Sequence, residues 1–282
     1  MIDAKIRLAQ TSPALGDVAA NLDQHLEAIE AARADGAGLL VFPELSLTGY
    51  FLNDLTDEVA MPLDGKVVKK VVAAAKDRAV AFGLVERARD HRLYNACVYA
   101  EKGKILHVHR KVHLPTYGIF DDGRYLAPGS AFDAFDTSFG KVGILICEDA
   151  WHMASSYLLF LQNADLILCP SASPGRGLDE RGEVSSLRAW QSVLEALSQL
   201  FQTYVAYCNR VGVEDGMSFF GGSRVVDPFG SVVAQVGGLD PGAATARLED
   251  AALRRARLFA PMRRDERPEM VLRQLRRIVG ES

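Results

Sequence analysis

A cysteine followed by two acidic residues is the first feature of the sequence that could carry chemistry. In "GILICEDAW", residues 143–151, an apolar run ends at Cys147, and Glu148 and Asp149 come next. A thiol becomes a good nucleophile when it loses its proton, and neighbouring negative charge raises its pKa and opposes that loss. Cys147 is therefore either an inert thiol of the core or a thiol whose proton is taken by a base from elsewhere in the chain.

Two further charged residues follow strand-like apolar runs in the same way. "LLVFPE" ends at Glu44, and "LHVHRK" ends at Lys111. If the three run ends converge on a rigid sheet, Glu44 can accept the thiol proton and Lys111 can offset the acidic neighbours of Cys147. This arrangement predicts a thiolate that is available near neutral pH, with Glu148 lining the pocket and Asp149 holding the turn.

The elements that must position these residues alternate between short apolar runs and helical patterns. The mixture of hairpins and helix-strand units predicts one α/β domain whose sheets pack on each other and carry helices outside. The predicted strands are "AKIRLAQ", "GLLVFP", "VAFGLVER", "LYNACVYA", "KILHVHRK", "DLILCP", "TYVAYCN", a hairpin across "FDAFDTSFGKVGILIC" and a second across "SRVVDPFGSVVAQV". The predicted helices are "DVAANLDQHLEAIEAARADGA", "GKVVKKVVAAAKDRA", "SSYLLFLQNA" and "RGEVSSLRAWQSVLEALSQLFQ".

Composition and charge restrict the class of partner. The 282 residues are 49% hydrophobic and 24% charged, which suffices for a large core. A net charge of −4 gives no reason to expect nucleic acid or an anionic membrane surface, so a small molecule is the expected ligand. The sequence has no signal-peptide pattern and no run of about 18 apolar residues, which predicts a cytoplasmic chain. Cys97, Cys147, Cys169 and Cys208 lack C-x-x-C spacing and are expected to be reduced.

Three motifs contain the residues singled out above. They are "FPELSLTGY", "RKVHLPTYGIFDDGRYLAPG" and "ICEDAWH", and in this order they resemble the nitrilase, or carbon-nitrogen hydrolase, superfamily with its Glu-Lys-Cys triad. The separations of 67 residues from Glu44 to Lys111 and of 36 from Lys111 to Cys147 are also similar. "PSASP", "NRVG" and "FFGGSRVVDPFG" extend the resemblance to about residue 250. We therefore assign residues 1–250 to a carbon-nitrogen hydrolase domain, and residues 251–282 to a C-terminal extension that packs on the domain or on a neighbouring subunit.

The resemblance implies a four-layer αββα sandwich, no metal or organic cofactor, and pairing into a homodimer or a higher homo-oligomer. It also implies that Cys147 attacks an amide carbon to form a thioester, that Glu44 relays the proton to the departing ammonia, and that Lys111 holds the oxyanion. Six residues match positions that form the pocket in similar amidases, and Glu148 among them would pair with a free α-amino group of the substrate. These substrate-binding candidates are Tyr50, Tyr117, Phe120, Glu148, Trp151 and Ser173.

One position departs from the superfamily pattern. The superfamily usually places a second glutamate between the lysine and the cysteine, and in "FDDGRYL" Asp122 stands at that place. Its side chain is shorter by one C–C bond, roughly 1.5 Å. Asp121 is the alternative, and we assign Asp122 as the fourth catalytic residue.

Two of the motifs also indicate which kind of activity to expect within the superfamily. "HLPTYGIFDDGRY" and "ICEDAW" are most similar to the glutamine amidase domain of glutamine-dependent NAD synthetases. Because no synthetase domain follows before Ser282, we expect a free-standing amidase that cleaves a small carboxamide, with glutamine-like ω-amides favoured. The alternatives are a nitrilase or amide acyltransferase with the same triad, or an ammonia-supplying or regulatory subunit that acts through a partner protein.

Two other patterns have competing interpretations. His107, His109 and His113 alternate along a predicted strand and raise the question of a metal site, but Lys111 would share their face, and a cation among the ligands argues against a second one. The arginines between residues 254 and 277 alternate with acidic residues beside an apolar helical stripe. That pattern favours a docking element over a nucleic-acid surface.

Overall fold

The secondary structure comes from a computed structural model that describes residues 3–177 and 184–280. Within these ranges the strands are β1 (Ala4–Gln10), β2 (Leu39–Val41), β3 (Ala79–Arg87), β4 (Leu93–Glu101), β5 (Lys104–Arg110), β6 (Phe135–Thr137), β7 (Gly140–Ile144), β8 (Leu166–Ser171), β9 (Tyr204–Asn209), β10 (Val211–Glu214), β11 (Met217–Phe220), β12 (Arg224–Val226), β13 (Val232–Gln235) and β14 (Gly242–Leu248). The helices are α1 (Val18–Ala34), α2 (Thr56–Val59), α3 (Lys66–Ala74), α4 (Asp122–Tyr125), α5 (Met153–Leu161), α6 (Ser185–Phe201), α7 (Asp250–Phe259), α8 (Met262–Asp265) and α9 (Pro268–Val279), with short 3₁₀ helices at Asn53–Leu55 and Cys147–Trp151.

Two six-stranded sheets form the middle of the molecule. The strand order is β14-β1-β2-β3-β4-β5 in the first sheet and β13-β12-β9-β8-β7-β6 in the second, while β10 and β11 form a separate ribbon. Strands β1, β2 and β3 run parallel, as do β7, β8 and β9, and antiparallel hairpins flank both groups. The sheets pack face to face, since the Cys208 thiol in β9 lies 3.2 Å from the Val41 carbonyl oxygen in β2.

Helices cover the outer face of each sheet. Helices α1 and α3 pack on the first sheet through apolar side chains such as Ile29 and Val68. Helices α5 and α6 cover the second sheet through side chains such as Leu159 and Trp190. The order helix, sheet, sheet, helix is the predicted four-layer αββα sandwich, which is thereby confirmed.

The predicted helices and strands are each present, although residues 181–183 of the last predicted helix lie outside the described residues and α6 begins at Ser185. The prediction missed β10, β11, β14, α7 and the short helices α2, α4 and α8. Strand β14, "GAATARL", consists largely of small side chains, and it becomes a strand because it pairs along the whole of β1. Among the described residues, no helix is both long enough and apolar enough to cross a membrane.

The C-terminal region contains two kinds of helix. Helix α7 contributes Ala252, Leu253 and Ala256 to the buried core. Helix α9, in contrast, buries none of its side chains, and Leu272, Leu275 and Ile278 are exposed. The division of the chain at residue 250 stays a prediction.

Candidate active site

Glu44 lies where the chain leaves β2 and crosses β3. A Cβ on Gly83 of β3 would collide with the backbone nitrogen of Leu45, so glycine is needed for the two backbones to pass. The Glu44 carboxylate is buried, and it accepts hydrogen bonds from Asn95 Nδ2 to Oε1 and from the Ala172 N–H to Oε2, both at 2.8 Å. Because Asn95 belongs to the first sheet and Ala172 follows a strand of the second, both sheets hold this carboxylate.

Lys111 follows the last residue of β5. Its backbone N–H donates to the carbonyl oxygen of Asn95, so the neighbouring strand β4 fixes the start of the side chain. The ammonium donates to Glu44 Oε1 at 2.7 Å and to Asp122 Oδ2 at 2.8 Å. A fully buried cation therefore bridges two carboxylates, which satisfies the rule that buried charges are paired.

Asp122 is the first residue of the short helix α4, and its carboxylate points inward. Besides accepting from Lys111, it accepts at Oδ1 a hydrogen bond of 2.7 Å from the hydroxyl of Tyr50. Its backbone N–H donates to Pro115 O at 3.1 Å, which ties the start of α4 to the segment that follows Lys111. Asp121 instead points to solvent, with the Arg124 guanidinium 3.9 Å away. The structure thus brings Asp122, and not Asp121, to Lys111.

Cys147 lies at the turn between β7 and the 3₁₀ helix that follows it. Its backbone φ of +46° is in the left-handed region, which costs an L-residue roughly 1–2 kcal/mol. The thiol lies 3.4 Å from the hydroxyl oxygen of Ser173, and the residue before that serine, Ala172, donates to Glu44. The adjacent pair Ala172 and Ser173 therefore places the sulfur beside the carboxylate, as the sequence predicts.

Asp149 holds the turn that carries Cys147. Its carboxylate is completely buried and accepts three backbone hydrogen bonds, from Val112 and His113 after β5 and from Ile146 before the cysteine, at 2.9–3.1 Å. His109 Nε2 lies 2.9 Å from the same carboxylate. The expectation that Asp149 holds the turn is confirmed, and the same side chain also fastens the segment after Lys111 to the turn.

The electrostatics of the thiol correct one expectation. Burial, followed by the charge of Glu44, raises the pKa of the Cys147 thiol well above its ordinary value, and the opposing charge of Lys111 does not compensate. The prediction of a thiolate available near neutral pH was therefore wrong, because a desolvated thiol beside a carboxylate keeps its proton. Attack by sulfur then requires a base that removes the proton during the reaction.

Glu44 and Lys111 have pKa values suited to such a proton transfer. Burial raises the pKa of Glu44, and the charge of Lys111 offsets this only in part. Burial lowers the pKa of Lys111, but the charges of Asp122 and Glu44 outweigh it and hold the pKa well above its ordinary value. The arrangement combines a basic carboxylate with a permanent cation next to a protonated thiol.

Tyr117, Phe120 and Glu148 form an outer wall of the site. The Tyr117 hydroxyl donates to Glu148 Oε2 at 2.9 Å, and its ring meets that of Phe120 edge-on. The guanidinium of Arg176, a residue the sequence analysis did not select, lies 5.0 Å from the Phe120 ring centroid and 6.0 Å from that of Tyr117. This wall offers a carboxylate and a guanidinium of opposite charge.

The other pocket candidates occupy different places. Ser173 contacts the thiol, and its N–H donates to Asn209 Oδ1 at 2.8 Å. Tyr50 is buried, with its hydroxyl committed to Asp122. Trp151 is exposed at the far end of the 3₁₀ helix, where its ring packs against Trp190. The structure therefore brings five of the six candidates near the cluster and leaves Trp151 at its edge; substrate binding by these residues stays a prediction.

The three histidines of "HVHRKVH" contact aromatic rings and Asp149. His107 stacks on Phe135, whereas His109 and His113 both lie against Phe132. His109 Nε2 also pairs with Asp149, and the His113 ring stacks on that of His152. Among residues 3–177 and 184–280, no three His, Cys, Asp or Glu side chains form a group that could hold a metal ion.

Several polar residues that support the site were not selected from the sequence. Asn95 donates to Glu44, Asn209 orients Ser173, and Glu214 accepts from the backbone of Tyr50. Asn95 and Asn209 each lie in a largely apolar, buried strand, and a polar residue at such a position is the signal that could have found them.

Comparisons with known proteins identify the family of this chain. The carbon-nitrogen hydrolase family model matches residues 5–257. A glutamine-dependent NAD(+) synthetase of Thermotoga maritima is 36% identical over 235 residues, which cover 81% of this chain and 39% of that protein. A probable nitrilase of Schizosaccharomyces pombe is 29% identical, with 82% and 83% covered. The crystal structure of an amidase from Nesterenkonia sp. superposes with a TM-score of 0.79 at 25% identity, covering 96% of both chains.

The matches cover different shares of the two kinds of relative. The chain spans about two fifths of the length of the synthetases it matches, whereas it spans most of the nitrilase and of the amidase. The family match includes every residue of the cluster described above, from Glu44 to Ser173. The chain therefore belongs to the carbon-nitrogen hydrolase family, the nitrilase superfamily.

Proposed function

We propose that this chain is an amidase that hydrolyses a small carboxamide through a thioester on Cys147 and releases ammonia. One observation carries the proposal: a buried ammonium, Lys111, bridges Glu44 and Asp122 beside the thiol of Cys147. A base, a fixed cation and a sulfur nucleophile in one buried cluster are the groups that acyl transfer from an amide requires.

The first half of the reaction forms the thioester. As the Cys147 sulfur attacks the amide carbon, the thiol proton moves to Glu44, whose raised pKa makes it a stronger base than an exposed carboxylate. The S–C bond forms, and the carbonyl oxygen becomes an oxyanion held by Lys111 and by the backbone N–H of Glu148. Glu44 then passes its proton to the amide nitrogen, the C–N bond breaks, and ammonia leaves.

The second half returns the enzyme to its starting state. Water attacks the thioester carbon while Glu44 accepts one of its protons, the C–S bond breaks, and the sulfur regains a proton from Glu44. When Glu44 is protonated, it no longer carries a charge that pairs with Lys111. Asp122 remains paired with the Lys111 ammonium, so the cation stays in place throughout the reaction. The net reaction consumes the amide and water and yields a carboxylic acid and ammonia.

The outer wall supports glutamine-like ω-amides as the favoured substrates. The Glu148 carboxylate is mostly shielded from solvent and offers a charge-assisted partner for an α-amino group. Arg176 offers a counter-charge for an α-carboxylate at the same end of the molecule. A substrate with both groups and a terminal amide would place its polar head at this wall and its amide at Cys147.

Ammonia release from a panel of amides and nitriles tests the proposal. Wild-type protein should release ammonia from glutamine or another small ω-amide, and the Cys147→Ala variant should not. Release from nitriles alone would favour a nitrilase, and hydroxamate formation in the presence of hydroxylamine at the expense of hydrolysis would favour an acyltransferase. No release from any amide would contradict the proposal.

A second candidate is supported by the similarity to NAD(+) synthetases, which makes an ammonia-supplying role for a partner protein a specific alternative. The two functions differ in the behaviour of the isolated chain. An independent amidase should turn over its substrate at about 1 s⁻¹ or faster without any partner. A supplying subunit should do so only when its partner is added.

The exposed apolar face of helix α9 bears on how the chain assembles. We propose a homodimer in the cytoplasm, in which a second copy covers apolar side chains that are exposed on helix α9, Leu272, Leu275 and Ile278. Light scattering of the purified chain should give the mass of two copies. The Leu275→Arg variant should give the mass of one.

A further inference from the structure

Tyr50 is held at both ends in the buried interior. Its hydroxyl donates to Asp122 Oδ1 at 2.7 Å, and its ring meets Phe51, Phe120 and Phe219 at steep angles. Burial, followed by the charges of Asp122 and Glu44, raises the pKa of Tyr50 well above its ordinary value, so the hydroxyl keeps its proton and remains a donor. The Tyr50 side chain is therefore held in one orientation, with its hydroxyl bonded to the Asp122 carboxylate.

A buried ion pair holds the backbone of Tyr50. Glu214 Oε2 accepts from the N–H groups of Tyr50 and Phe51 at 3.0 and 3.1 Å, and the other oxygen of Glu214 pairs with Arg210. Arg210 is almost completely buried, and its guanidinium lies 4.2 Å from the Phe219 ring centroid. Glu214 belongs to β10, Phe219 to β11, and Arg210 directly precedes β10. The separate ribbon therefore anchors the loop that carries Tyr50.

The Tyr50 hydroxyl helps to position Lys111 through Asp122. Asp122 has two carboxylate oxygens, one of which accepts from Tyr50 and the other from Lys111. With one oxygen fixed, the plane of the carboxylate is fixed as well, and the second oxygen holds the ammonium in place. Without the hydroxyl, the carboxylate of Asp122 can turn about its terminal bond, and the long lysine side chain loses one of its two anchors.

We propose that Tyr50 is a positioning residue which, clamped by the Arg210–Glu214 pair, aligns the short Asp122 side chain and thereby sets Lys111 for catalysis. This inference rests on the proposed amidase function. It differs from a substrate-binding role for Tyr50, since a hydroxyl committed to Asp122 is not offered to a ligand. A positioning role acts on kcat, whereas loss of a substrate contact acts mainly on KM.

The Tyr50→Phe variant removes the hydroxyl and keeps the ring. We expect kcat for the best amide to fall more than tenfold, because a misplacement of about 1 Å can cost ~100-fold in rate, with KM within about threefold of wild type. The pH midpoint for alkylation of Cys147 by iodoacetamide should also move upward, because the lysine near the sulfur is held less firmly. Tyr99→Phe is the matched control: Tyr99 is buried, its hydroxyl is 3.5 Å from Glu101, and it lies four residues from Asn95 along β4.

A double-mutant cycle gives a sharper test. In Asp122→Glu the extra C–C bond, roughly 1.5 Å, shifts the carboxylate relative to the Tyr50 hydroxyl and the Lys111 ammonium, which lie 2.7 and 2.8 Å from it. We therefore expect this variant to lose about tenfold in kcat. When the hydroxyl is also removed, as in Tyr50→Phe with Asp122→Glu, the longer carboxylate can reach the lysine without the tyrosine. We therefore expect the double variant to be at least tenfold more active than the product of the two single effects predicts.

These results separate the inference from the proposed function. If wild type turns over no amide, the proposed function fails, and the alkylation midpoint of Tyr50→Phe still decides the inference. If wild type is active, a fall in kcat of less than tenfold, an unchanged alkylation midpoint or additive effects in the cycle would overturn the positioning role. Should Tyr50→Phe fail to fold, Glu214→Gln, which loosens the same loop from its backbone side, must show the same loss of kcat and the same shift of the midpoint.

Discussion

Lys111 Nζ lies 2.7 Å from Glu44 Oε1, and neither side chain is exposed to solvent. Each group therefore depends on the other for its charge. A lone buried ion costs several kcal/mol, and removing one partner of a buried pair typically destabilises a protein by about 3–5 kcal/mol. This pair is consequently both a part of the proposed chemistry and a part of the core.

Neutral variants of similar shape test the roles of this pair. We expect Glu44→Gln and Lys111→Met each to lower turnover at least ~100-fold, because each loses a group that acts in the transition state. The control is Glu86→Gln, which removes the buried carboxylate of a partly exposed pair with Arg110, joined by two hydrogen bonds of 2.7 Å. Turnover and thermal stability are measured for all three variants. Retention of more than a tenth of wild-type turnover in Glu44→Gln or Lys111→Met would remove that residue from the mechanism.

Asp121 and Asp122 differ in what they contact. Asp122→Asn should lower turnover about 100-fold, because it keeps the shape but loses the charge that holds Lys111. Asp121→Asn should stay within about threefold of wild type, since exposed ion pairs such as the one with Arg124 contribute little. The comparison uses the best amide substrate. An inactive Asp121→Asn together with an active Asp122→Asn would show that Asp121, and not Asp122, is the fourth catalytic residue.

The four cysteines should react unequally. Cys147 is 9% exposed and adjoins Glu44 and Lys111, whereas Cys97, Cys169 and Cys208 are at most 1% exposed. Burial raises the pKa of these three thiols, as it does that of Cys147, so the expected selectivity rests on the greater exposure of Cys147 and on Glu44 as a base beside it. After a brief pulse of iodoacetamide, peptide mass spectrometry should find the label on Cys147. Equal labelling of Cys169 or Cys208 would contradict this.

His25 should make the protein less stable in acid. Burial lowers its pKa to about 4, and the ring bonds Asn21 O at 2.7 Å and Ser46 Oγ at 3.0 Å. The unfolded chain then binds a proton near pH 6.5 that the folded chain does not, so the free energy of unfolding falls as the pH drops from about 6.5 to 4, by up to about 3 kcal/mol. Urea unfolding across this range measures the effect.

A pair of variants assigns that pH dependence to its source. His25→Asn should flatten the slope between pH 6.5 and 4, whereas His91→Asn, at an exposed turn, should leave it unchanged. An unchanged slope in His25→Asn would show that another group is responsible.

Much of the site could be predicted from residues that follow apolar runs. Glu44, Lys111 and Cys147 each come directly after a strand or within three residues of one, and they meet at one edge of the sandwich because the two sheets pack together. The choice of Asp122 over Asp121 also agrees with the structure, although it rested on a motif.

The remaining features depend on tertiary contacts that local sequence does not reveal. The raised pKa of Cys147 results from desolvation and from Glu44, which is 103 residues away in the chain. The contact of Glu214 with Tyr50 joins positions 164 residues apart. Strand β14 has little propensity of its own and depends on β1 for its pairing.

The most direct test of the central claim is whether the acyl group of an amide substrate becomes attached to Cys147. Wild-type protein is mixed with its best amide, quenched in acid within milliseconds, and analysed by intact and peptide mass spectrometry while ammonia is measured in parallel. The account predicts a mass increase equal to the substrate minus ammonia, on the peptide that contains Cys147, and no adduct or ammonia from Cys147→Ala. Ammonia release by Cys147→Ala, or an acyl group on a different residue, would contradict it.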